Sequence, residues 1–318
     1  MIEIKHLVKT YGEHKVVDDL SLTVEPGRIY GFLGPNGAGK STTMNILTGY
    51  IGATSGEVTI NGHDIFKEPE EARKCIGYLP EIPPVYDDMT VWEYLLFAAE
   101  LKKTDKDKRV RYVEEAMELT HITDMENRLI RNLSKGYRQR VGLAQAVLGY
   151  PEIIILDEPT VGLDPKQIIE IRDLIRRLGE KHTVILSSHI LSEVKEVCDY
   201  IFIISQGKLV ASDTTQNLLH QVQRAQTIEL ITDESSDAFL SVLYEIPGVD
   251  HVSVEELEDL SSRIVICVKD GRDIRKDVFN KIAHAGLSVM EMHSTGRTLE
   301  DIFLELTANR DVKGEIEL

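Results

Sequence analysis

Residues 34–41 form a glycine-rich segment, Gly34-Pro35-Asn36-Gly37-Ala38-Gly39-Lys40-Ser41, whose spacing could wrap a chain of phosphates. The three glycines let the backbone turn tightly and point successive N–H groups inward. Lys40 can then reach the terminal phosphates, and Ser41 offers a hydroxyl to magnesium. The apolar run 29–33 predicts a buried strand before the loop, and residues 42–47 predict a helix after it, whose N-terminus favours bound phosphate. The segment therefore predicts a nucleoside triphosphate site, with an ordinary surface loop as the less favoured alternative.

Two acids and a histidine follow two further apolar runs. Asp157 and Glu158 come directly after residues 153–156, and His189 follows the run 184–186 and two serines. Because the carboxyl ends of parallel strands meet at one edge of a sheet, these side chains should gather beside the phosphate loop. There Asp157 could hold magnesium directly or through water, and Glu158 could orient or polarise the attacking water. On spacing alone, adjacent acids are also typical of solvated loops, and a structural role for His189 is as well supported as a catalytic one.

The order of apolar runs predicts the fold of the first part of the chain. From residue 1 to about 222, β-type runs alternate with helical stretches, which predicts an α/β domain with a mainly parallel sheet between helices. A mainly helical subdomain is expected over about 89–149, beginning at a capping box formed by Thr90 and Glu93. Near the end of this domain, Gln206 and Gly207 predict a hairpin turn.

Residues 223–308 differ in character and predict a smaller second domain. Four short β-type runs, over 227–231, 249–254, 263–268 and 287–292, are separated by two helical stretches. The order β-α-β-β-α-β is typical of a ferredoxin-like α+β fold. A further helix is expected to begin at Thr298, whose hydroxyl can cap it, and residues 309–318 are expected to be a disordered tail.

Length and charge restrict the classes of partner. A chain of 318 residues is natural for two domains. The formal net charge of -17 disfavours a nucleic-acid partner, because affinity for phosphate backbones comes from clustered lysine and arginine. The sequence contains no apolar stretch of bilayer-spanning length, and its first residues have no signal-peptide features. The chain is therefore expected in the cytoplasm.

A further segment, Leu133-Ser134-Lys135-Gly136-Tyr137-Arg138-Gln139-Arg140, resembles the Leu-Ser-Gly-Gly-Gln signature of ATP-binding cassette (ABC) proteins. In the same order as in that family, residues 161–164 resemble the D-loop, His189 matches the switch histidine that contacts the γ-phosphate, and Tyr11 fits the aromatic loop that stacks on adenine. The resemblance covers the first two thirds of the chain. It implies ATP and Mg²⁺ as cofactors and a head-to-tail homodimer, in which Ser134 and Gly136 of one copy bind the γ-phosphate held by the other.

The resemblance assigns roles residue by residue. The catalytic residues it implies are Lys40, Glu158 and His189. The nucleotide contacts are Tyr11, Gly34, Pro35, Asn36, Gly37, Ala38, Gly39, Lys40, Ser41, Thr42, Ser134 and Gly136 in trans, and Asp164. The metal ligands are Ser41, Glu81 and Asp157, although Glu81 stands where many members have glutamine. The chain also departs from the family pattern by having Lys135 and Tyr137 in the signature and Val161 at the start of the D-loop.

The resemblance implies the ATPase subunit of a membrane transporter, held on the inner face of the cell membrane by separately encoded transmembrane permease subunits. The second domain and the ending at 298–303 resemble the exporter branch that serves drug, antibiotic and gliding-machinery transport. Residues 82–86 and 92–97 offer an apolar groove where a permease helix could dock, with packing inside the subdomain as the alternative. A soluble, non-transport cassette ATPase acting as a switch on a protein or nucleic acid is disfavoured by the single cassette and the acidic charge. A nucleotide sensor without turnover is disfavoured because Glu158 and the signature are present.

Overall fold

A computed structural model describes residues 1–218, 226–257, 261–269 and 273–296. Packing divides the chain into two units, Met1–Thr215 and Gln216–Leu318. The predicted domain boundary at 222–223, the predicted helix from Thr298 and the predicted tail at 309–318 lie outside the described residues.

The first unit is built from strands and helices that alternate along most of its length. In chain order they are β1 (Ile2–Tyr11), β2 (His14–Val24), β3 (Ile29–Leu33), α1 (Lys40–Leu47), β4 (Ser55–Ile60), β5 (His63–Asp64), α2 (Pro69–Lys74), β6 (Ile76–Leu79), α3 (Val91–Leu101), α4 (Lys106–Leu119), α5 (Lys135–Val147), β7 (Ile153–Asp157), α6 (Pro165–Gly179), β8 (Thr183–Ser188), α7 (Leu191–Val197), β9 (Tyr200–Ser205) and β10 (Lys208–Thr214).

The main sheet has six strands in the order β10-β9-β3-β8-β7-β6. All neighbouring pairs are parallel except β9 and β10, so the predicted α/β class is confirmed. Every residue of β3, β7 and β8 is buried, as expected of apolar strands covered by helices on both faces. The predicted hairpin turn is also confirmed. Gln206 and Gly207 join β9 to β10 with φ values of 48° and 75°, which match the twist of the flanking strands.

A second, antiparallel sheet in the order β2-β1-β4-β5 was not predicted. Alternate residues of β2 are buried from Leu20 to Val24, so one of its faces packs on the core and the other faces solvent. The sheet shares one apolar cluster with the main sheet, in which Leu7 and Leu20 belong to the same core as Phe32. Its central pairing joins Ile2 to Ile60. Such long-range pairing leaves no local signal in the sequence.

Three helices, α3, α4 and α5, occupy most of the range predicted to be helical. The predicted capping box at the start of α3 is confirmed in both directions. The Glu93 amide donates to Thr90 Oγ1 at 3.2 Å, and the Thr90 amide donates to a Glu93 carboxylate oxygen at 2.9 Å. These two bonds satisfy amides that the first turn of a helix leaves without partners.

Lys102, at the end of α3, ties that helix to the end of α5. Its ammonium donates to the carbonyl oxygens of Gln145 at 2.9 Å, Ala146 at 3.1 Å and Leu148 at 2.9 Å. The protein atoms around the ammonium desolvate it and lower the pKa of Lys102 to about 8, although the residue as a whole is exposed to solvent. A cation at this position satisfies carbonyls that a helix C-terminus leaves free and complements the negative end of the helix dipole.

The second unit has the predicted ferredoxin-like arrangement. Its elements are β11 (Gln226–Thr232), α8 (Ser236–Leu243), β12 (Val249–Glu256), β13 (Ser262–Val268), α9 (Arg275–His284) and β14 (Glu291–Gly296). They form one antiparallel sheet in the order β12-β13-β11-β14, with Phe239 of α8 and Val278 of α9 in its core. The last strand was predicted over 287–292 and lies at 291–296 instead. Leu287 and Val289 do pack on the core, but they do so from the loop before the strand.

Replacing Lys102 with methionine should destabilise the first unit. The substitution leaves three carbonyls at the end of α5 without their donor, which should lower the free energy of unfolding by about 1–3 kcal/mol. The measurement is urea unfolding at pH 7, where the Lys102 ammonium is still charged, followed by the fluorescence of Trp92, the only tryptophan, in α3. Lys103→Met is the matched control, because Lys103 is 81% exposed and forms only a 3.8 Å surface ion pair with Glu70. A Lys102→Met protein as stable as the control would contradict this role.

Candidate active site

The phosphate loop connects β3 to α1, and two of its glycines are required by close packing. A Cβ atom on Gly34 would lie 2.4 Å from the carbonyl oxygen of Ile204, and one on Gly39 would lie 2.6 Å from that of Val16. Gly39 also has a φ of 96° and caps α1, which begins at Lys40. Only glycine fits these positions without displacing the neighbouring backbone. The loop is therefore held tightly against β9–β10 and the turn region of β2.

Lys40 is buried, and its ammonium lies at the centre of the loop. It donates to the carbonyl oxygens of Gly34 at 2.8 Å and Pro35 at 3.2 Å. It also lies 3.4 Å from Glu158 Oε1, an ion pair in which both side chains are almost fully buried. A buried ion pair is tolerated only where further hydrogen bonds satisfy both groups. The loop carbonyls supply that support on the lysine side.

Asp157 ends β7 and accepts two hydroxyl hydrogen bonds at one oxygen, Oδ1. The donors are Ser41 Oγ at 3.2 Å and Ser187 Oγ at 2.5 Å. Burial raises the pKa of Asp157, and the two hydroxyl donors oppose that effect. Ser187 was not assigned a role from the sequence. It stands directly opposite Asp157 in the parallel pairing of β7 with β8, so its position follows from the strand register.

Glu158 lies between a lysine and a histidine. Its Oε1 faces Lys40, and its Oε2 lies 3.0 Å from Nδ1 of His189. Its backbone has a φ of 47°, in the left-handed region that non-glycine residues rarely adopt. Such a conformation costs about 1–3 kcal/mol and persists only where its surroundings fix it. Here the Glu158 amide donates to Ser187 Oγ at 2.9 Å, and its carbonyl accepts from the Val161 amide at 3.2 Å.

These groups face a pocket of about 290 Å³, which contains most of the phosphate-binding and catalytic residues predicted from the sequence. The lining residues are Val16, Asn36, Gly37, Gly39, Lys40, Ser41, Thr42, Glu81, Glu158, Val161 and His189. Asp157 joins this set through its bond with Ser41. Glu81, which departs from the family pattern, nevertheless lines the pocket. The pocket thus combines one lysine, hydroxyl groups, carboxylates and a histidine around inward-facing backbone, a combination suited to a phosphate chain and a hard metal ion.

Seven predicted nucleotide contacts do not line this pocket. Three of them, Gly34, Pro35 and Ala38, belong to the same loop, whereas Tyr11, Ser134, Gly136 and Asp164 lie elsewhere. Tyr11 lies at the end of β1 with its side chain 51% exposed, under the ammonium of Lys9. Ser134 caps α5 and accepts from the Tyr137 amide at 3.4 Å, whereas Asp164 caps α6 and accepts from the Gln167 amide at 2.9 Å. The starts of these two helices touch, because a Cβ atom on Gly136 would lie 2.7 Å from the Gln167 side chain. Ser134, Gly136 and Asp164 therefore form a second surface outside the lining of the pocket, in which Ser134 and Asp164 are exposed and Gly136 is buried.

A larger groove of about 880 Å³ lies next to the pocket. It is lined by Ser41, Asn45, Thr48, Gly49, Tyr50, Arg73, Ile76, Tyr78, Pro80, Glu81, Ile82, Pro84, Lys102, Gln145 and Asp157. The side chain of Ile82 is 81% exposed there. Of the two segments predicted to form an apolar groove, residues 82–86 contribute Ile82 and Pro84 to this lining and residues 92–97 contribute none. The two segments do meet, because the rings of Tyr86 and Phe97 lie 5.7 Å apart, and the groove predicted between them stays a prediction. Tyr94 and Leu95 are buried inside the helical subdomain together with Val91, Ala98 and Ala99, because the i, i+3 and i, i+4 spacing of these residues places them on one face of α3.

None of the helices in the described parts of the chain combines the length and the apolar character needed to cross a membrane.

Residues 17–161 match the family model described as ABC transporter. Over 309 residues the chain is 36% identical to the bacitracin transport ATP-binding protein BcrA of Bacillus licheniformis, an alignment covering 96% of this chain and 97% of that protein. Over 308 residues it is 30% identical to the linearmycin resistance ATP-binding protein LnrL of Bacillus subtilis (strain 168), covering 96% of this chain and 98% of that protein. Both alignments include the second unit as well as the first.

Among solved structures, the fold is similar to the ATP-binding cassette MJ0796, in a dimeric structure of a post-hydrolysis state bound to ADP and Pi. The TM-score is 0.62 at 26% identity, covering 68% of this chain and 99% of that one. The site geometry and the full-length relatives agree, and the chain therefore belongs to the family of ABC transporter ATP-binding proteins.

Proposed function

We propose that this ATPase hydrolyses ATP in the pocket formed by the phosphate loop and the ends of β7 and β8, with Lys40, Glu158 and His189 as the catalytic residues. The observation that carries the proposal is the position of the Glu158 carboxylate. One of its oxygens faces the phosphate-loop lysine and the other faces His189. A carboxylate held in this way beside a phosphate-binding loop can orient an attacking water and accept its proton.

Magnesium fits the same pocket. Ser41 Oγ and the Asp157 carboxylate lie 3.2 Å apart and are both hard oxygen ligands. Mg²⁺ in phosphate sites is typically held by one or two such protein groups, together with phosphates and water. We propose these two residues as ligands and Glu81 as a further one, since it lines the pocket with Ser41 and the adjoining groove with both residues. Bound there, the ion would neutralise charge that develops on the phosphates.

The remaining residues of the pocket have distinct tasks. The Lys40 ammonium, buried and held by two loop carbonyls, supplies positive charge for the terminal phosphates without needing to reorganise. His189 fixes the second oxygen of Glu158, so the carboxylate is oriented on both sides. Ser187 holds Asp157 and the Glu158 amide through a single hydroxyl, which keeps the two acids in register. The backbone amides of the loop and the start of α1 would face the phosphates of bound ATP.

The separation of Ser134, Gly136 and Asp164 from the pocket supports a composite site. We propose that this surface meets the pocket of a second copy, so that two chains in head-to-tail orientation enclose each ATP. The dimeric form of the similar cassette MJ0796 supports this proposal. Tyr11, whose ring is half exposed at the end of β1, is proposed to stack on the adenine.

The relatives favour export as the transport direction. Their names refer to bacitracin transport and linearmycin resistance, which are both consistent with the removal of antibiotics from a cell. We propose that this chain powers an exporter from the inner face of the cell membrane, through separately encoded transmembrane subunits that dock in the groove. The ferredoxin-like second unit is proposed to regulate the cassette or to hold two copies together. The transported substrate would be selected by the membrane subunits.

Replacing Glu158 with glutamine should separate nucleotide binding from hydrolysis. The amide keeps the size of the side chain but cannot accept a proton, so ATP turnover should fall by about two to four orders of magnitude while ATP still binds. Steady-state ATPase assays and equilibrium binding of ATP to the purified protein measure the two effects. Glu114→Gln, an equivalent change on the exposed face of α4, serves as the control. Turnover at the control rate in Glu158→Gln would refute the assignment.

Mixing two inactive variants tests the composite site. Ser134→Arg should block the second surface, and Lys40→Ala should disable the phosphate loop, so each homodimer should be inactive. In a mixed dimer, one site carries both lesions and the other carries neither, and about half of the activity per mixed dimer should return if the sites act independently. The measurement is ATPase activity after mixing, with mixed dimers quantified by differently tagged copies. Mixed dimers that form but remain inactive would argue against assembly in trans.

A charge placed in the groove should weaken attachment to the membrane subunits. Burying the carboxylate of an Ile82→Glu variant at an apolar interface is costly, so recovery of membrane subunits with the tagged chain should fall by about tenfold or more. ATP binding by the isolated chain should be retained, which shows that the variant is folded. Ile169→Glu, at a position 58% exposed on α6, is the control and should leave recovery unchanged. Equal recovery with both variants would place the membrane contact elsewhere.

A further inference from the structure

Glu193, on α7, is a buried carboxylate to which the mechanism above gives no task. Its side chain is 5% exposed, although an ionised carboxylate is costly to bury without partners. One of its oxygens, Oε2, accepts from Thr160 Oγ1 at 2.6 Å and from Ser188 Oγ at 3.2 Å. A single oxygen atom therefore joins two hydroxyl groups that are far apart in the sequence.

These two hydroxyl groups belong to the segments that carry the proposed catalytic residues. Thr160 follows Glu158 by two residues, at the start of the turn that leads to α6. Ser188 immediately precedes His189, and its carbonyl accepts from the Gly34 amide of the phosphate loop at 3.3 Å. Ser188 Oγ also accepts from the Ile190 amide at 3.0 Å, so the backbone on both sides of His189 is fixed.

The negative charge of Glu193 has a partner on the next helix along the core. This partner is Arg172 of α6, whose Nη2 lies 3.9 Å from Oε1 of Glu193. The other terminal nitrogen of Arg172, Nη1, lies 2.6 Å from Oε2 of Glu196. The Arg172 side chain is itself mostly buried, so it compensates the buried charge without the screening that water would give. Glu196 is more than half exposed and does not contact either catalytic segment through any described hydrogen bond.

We infer that Glu193 is a positioning residue for hydrolysis, which sets the distance between Glu158 and His189 by holding Thr160 and Ser188 on one oxygen atom. This inference rests on the proposed roles of Glu158 and His189. The Glu158–His189 contact joins side chains from two neighbouring strand ends. Ser187 ties these ends together on one side of the contact, at the Asp157 carboxylate and the Glu158 amide. Glu193 supplies a second tie on the other side, where the chain continues beyond Glu158 and beside His189. The bond to Thr160 holds the first segment and the bond to Ser188 holds the second. Misplacement of catalytic groups by about 1 Å is enough to reduce turnover by roughly a hundredfold.

A purely structural role for Glu193 predicts a different outcome. Loss of a buried polar network would lower the melting temperature and the fraction of folded protein, but each folded molecule would hydrolyse ATP at the normal rate. A positioning role predicts a lower kcat for each molecule that binds ATP. The Michaelis constant for ATP should change little, because Glu193 lines neither the pocket nor the groove.

The test measures kcat and KM in the full-length protein, with active sites counted by ATP binding. In Glu193→Leu, which removes both acceptor oxygens, kcat should fall about 10–100-fold and KM should stay within about threefold. Glu193→Gln keeps an oxygen that can accept both hydroxyls and should retain turnover within about fivefold of wild type. Thr160→Val removes one hydroxyl at nearly constant shape and should lower kcat about tenfold. The double variant of Thr160→Val with Glu193→Leu should be no slower than Glu193→Leu alone, because both changes break the same bond.

Glu196→Gln is the matched control, since it loses a carboxylate that also pairs with Arg172, and it should hydrolyse ATP at the wild-type rate. The inference is overturned if kcat per active site stays within about twofold of wild type in Thr160→Val and Glu193→Leu, or if their effects multiply in the double variant. If Glu193→Leu does not fold, Thr160→Val decides alone.

Glu158→Gln is assayed in parallel. Normal turnover in that variant would refute the proposed catalytic role, whereas an inactive Glu158→Gln beside an unaffected Thr160→Val would refute only the role of Glu193.

Discussion

The parallel register of β3, β8 and β7 is the constraint on which the site depends. In this register Leu33 stands beside Ser188, and Ser187 stands beside Asp157. The phosphate loop, His189 and the two acids therefore leave the sheet at the same height and from adjacent strands. An antiparallel neighbour would send one of these segments to the opposite edge. The position of the proposed catalytic residues along the sheet edge therefore follows from the pairing of three buried strands.

Strand register brings these segments together, but hydrogen bonds determine where each side chain points. Glu158 adopts a left-handed backbone that its own residue type disfavours, and the Ser187 hydroxyl and the Val161 amide hold it there. The resulting carboxylate meets Lys40 on one side and His189 on the other. The left-handed backbone of Glu158 and its ion pair with Lys40 thus depend on the same local structure. Both are maintained by partners that come from a neighbouring strand or loop.

The sequence was sufficient where the signal is local, and insufficient where it depends on distant pairing. The phosphate loop, the capping box at Thr90 and the turn at Gln206 each rest on a few adjacent residues, whose backbone preferences are strong. The antiparallel sheet was missed because it pairs Ile2 with Ile60, two residues that β2, β3 and α1 separate in the sequence. Ser187 was missed for the same reason. A serine after an apolar run has no evident task until the register places it opposite Asp157.

One helix of the helical subdomain, α5, connects the groove to the signature segment at Ser134 and Gly136. Helix α5 has 13 residues and begins after Ser134, so it spans about 20 Å from the second surface to its far end. At that far end Lys102 holds three backbone carbonyls, and both Lys102 and Gln145 line the groove. A helix clamped in this way moves as a rigid body more readily than it bends, because bending would break the ladder of backbone hydrogen bonds. A partner seated in the groove would therefore contact one end of the helix whose other end carries Ser134 and Gly136, and this arrangement links the proposed membrane contact to the proposed composite site.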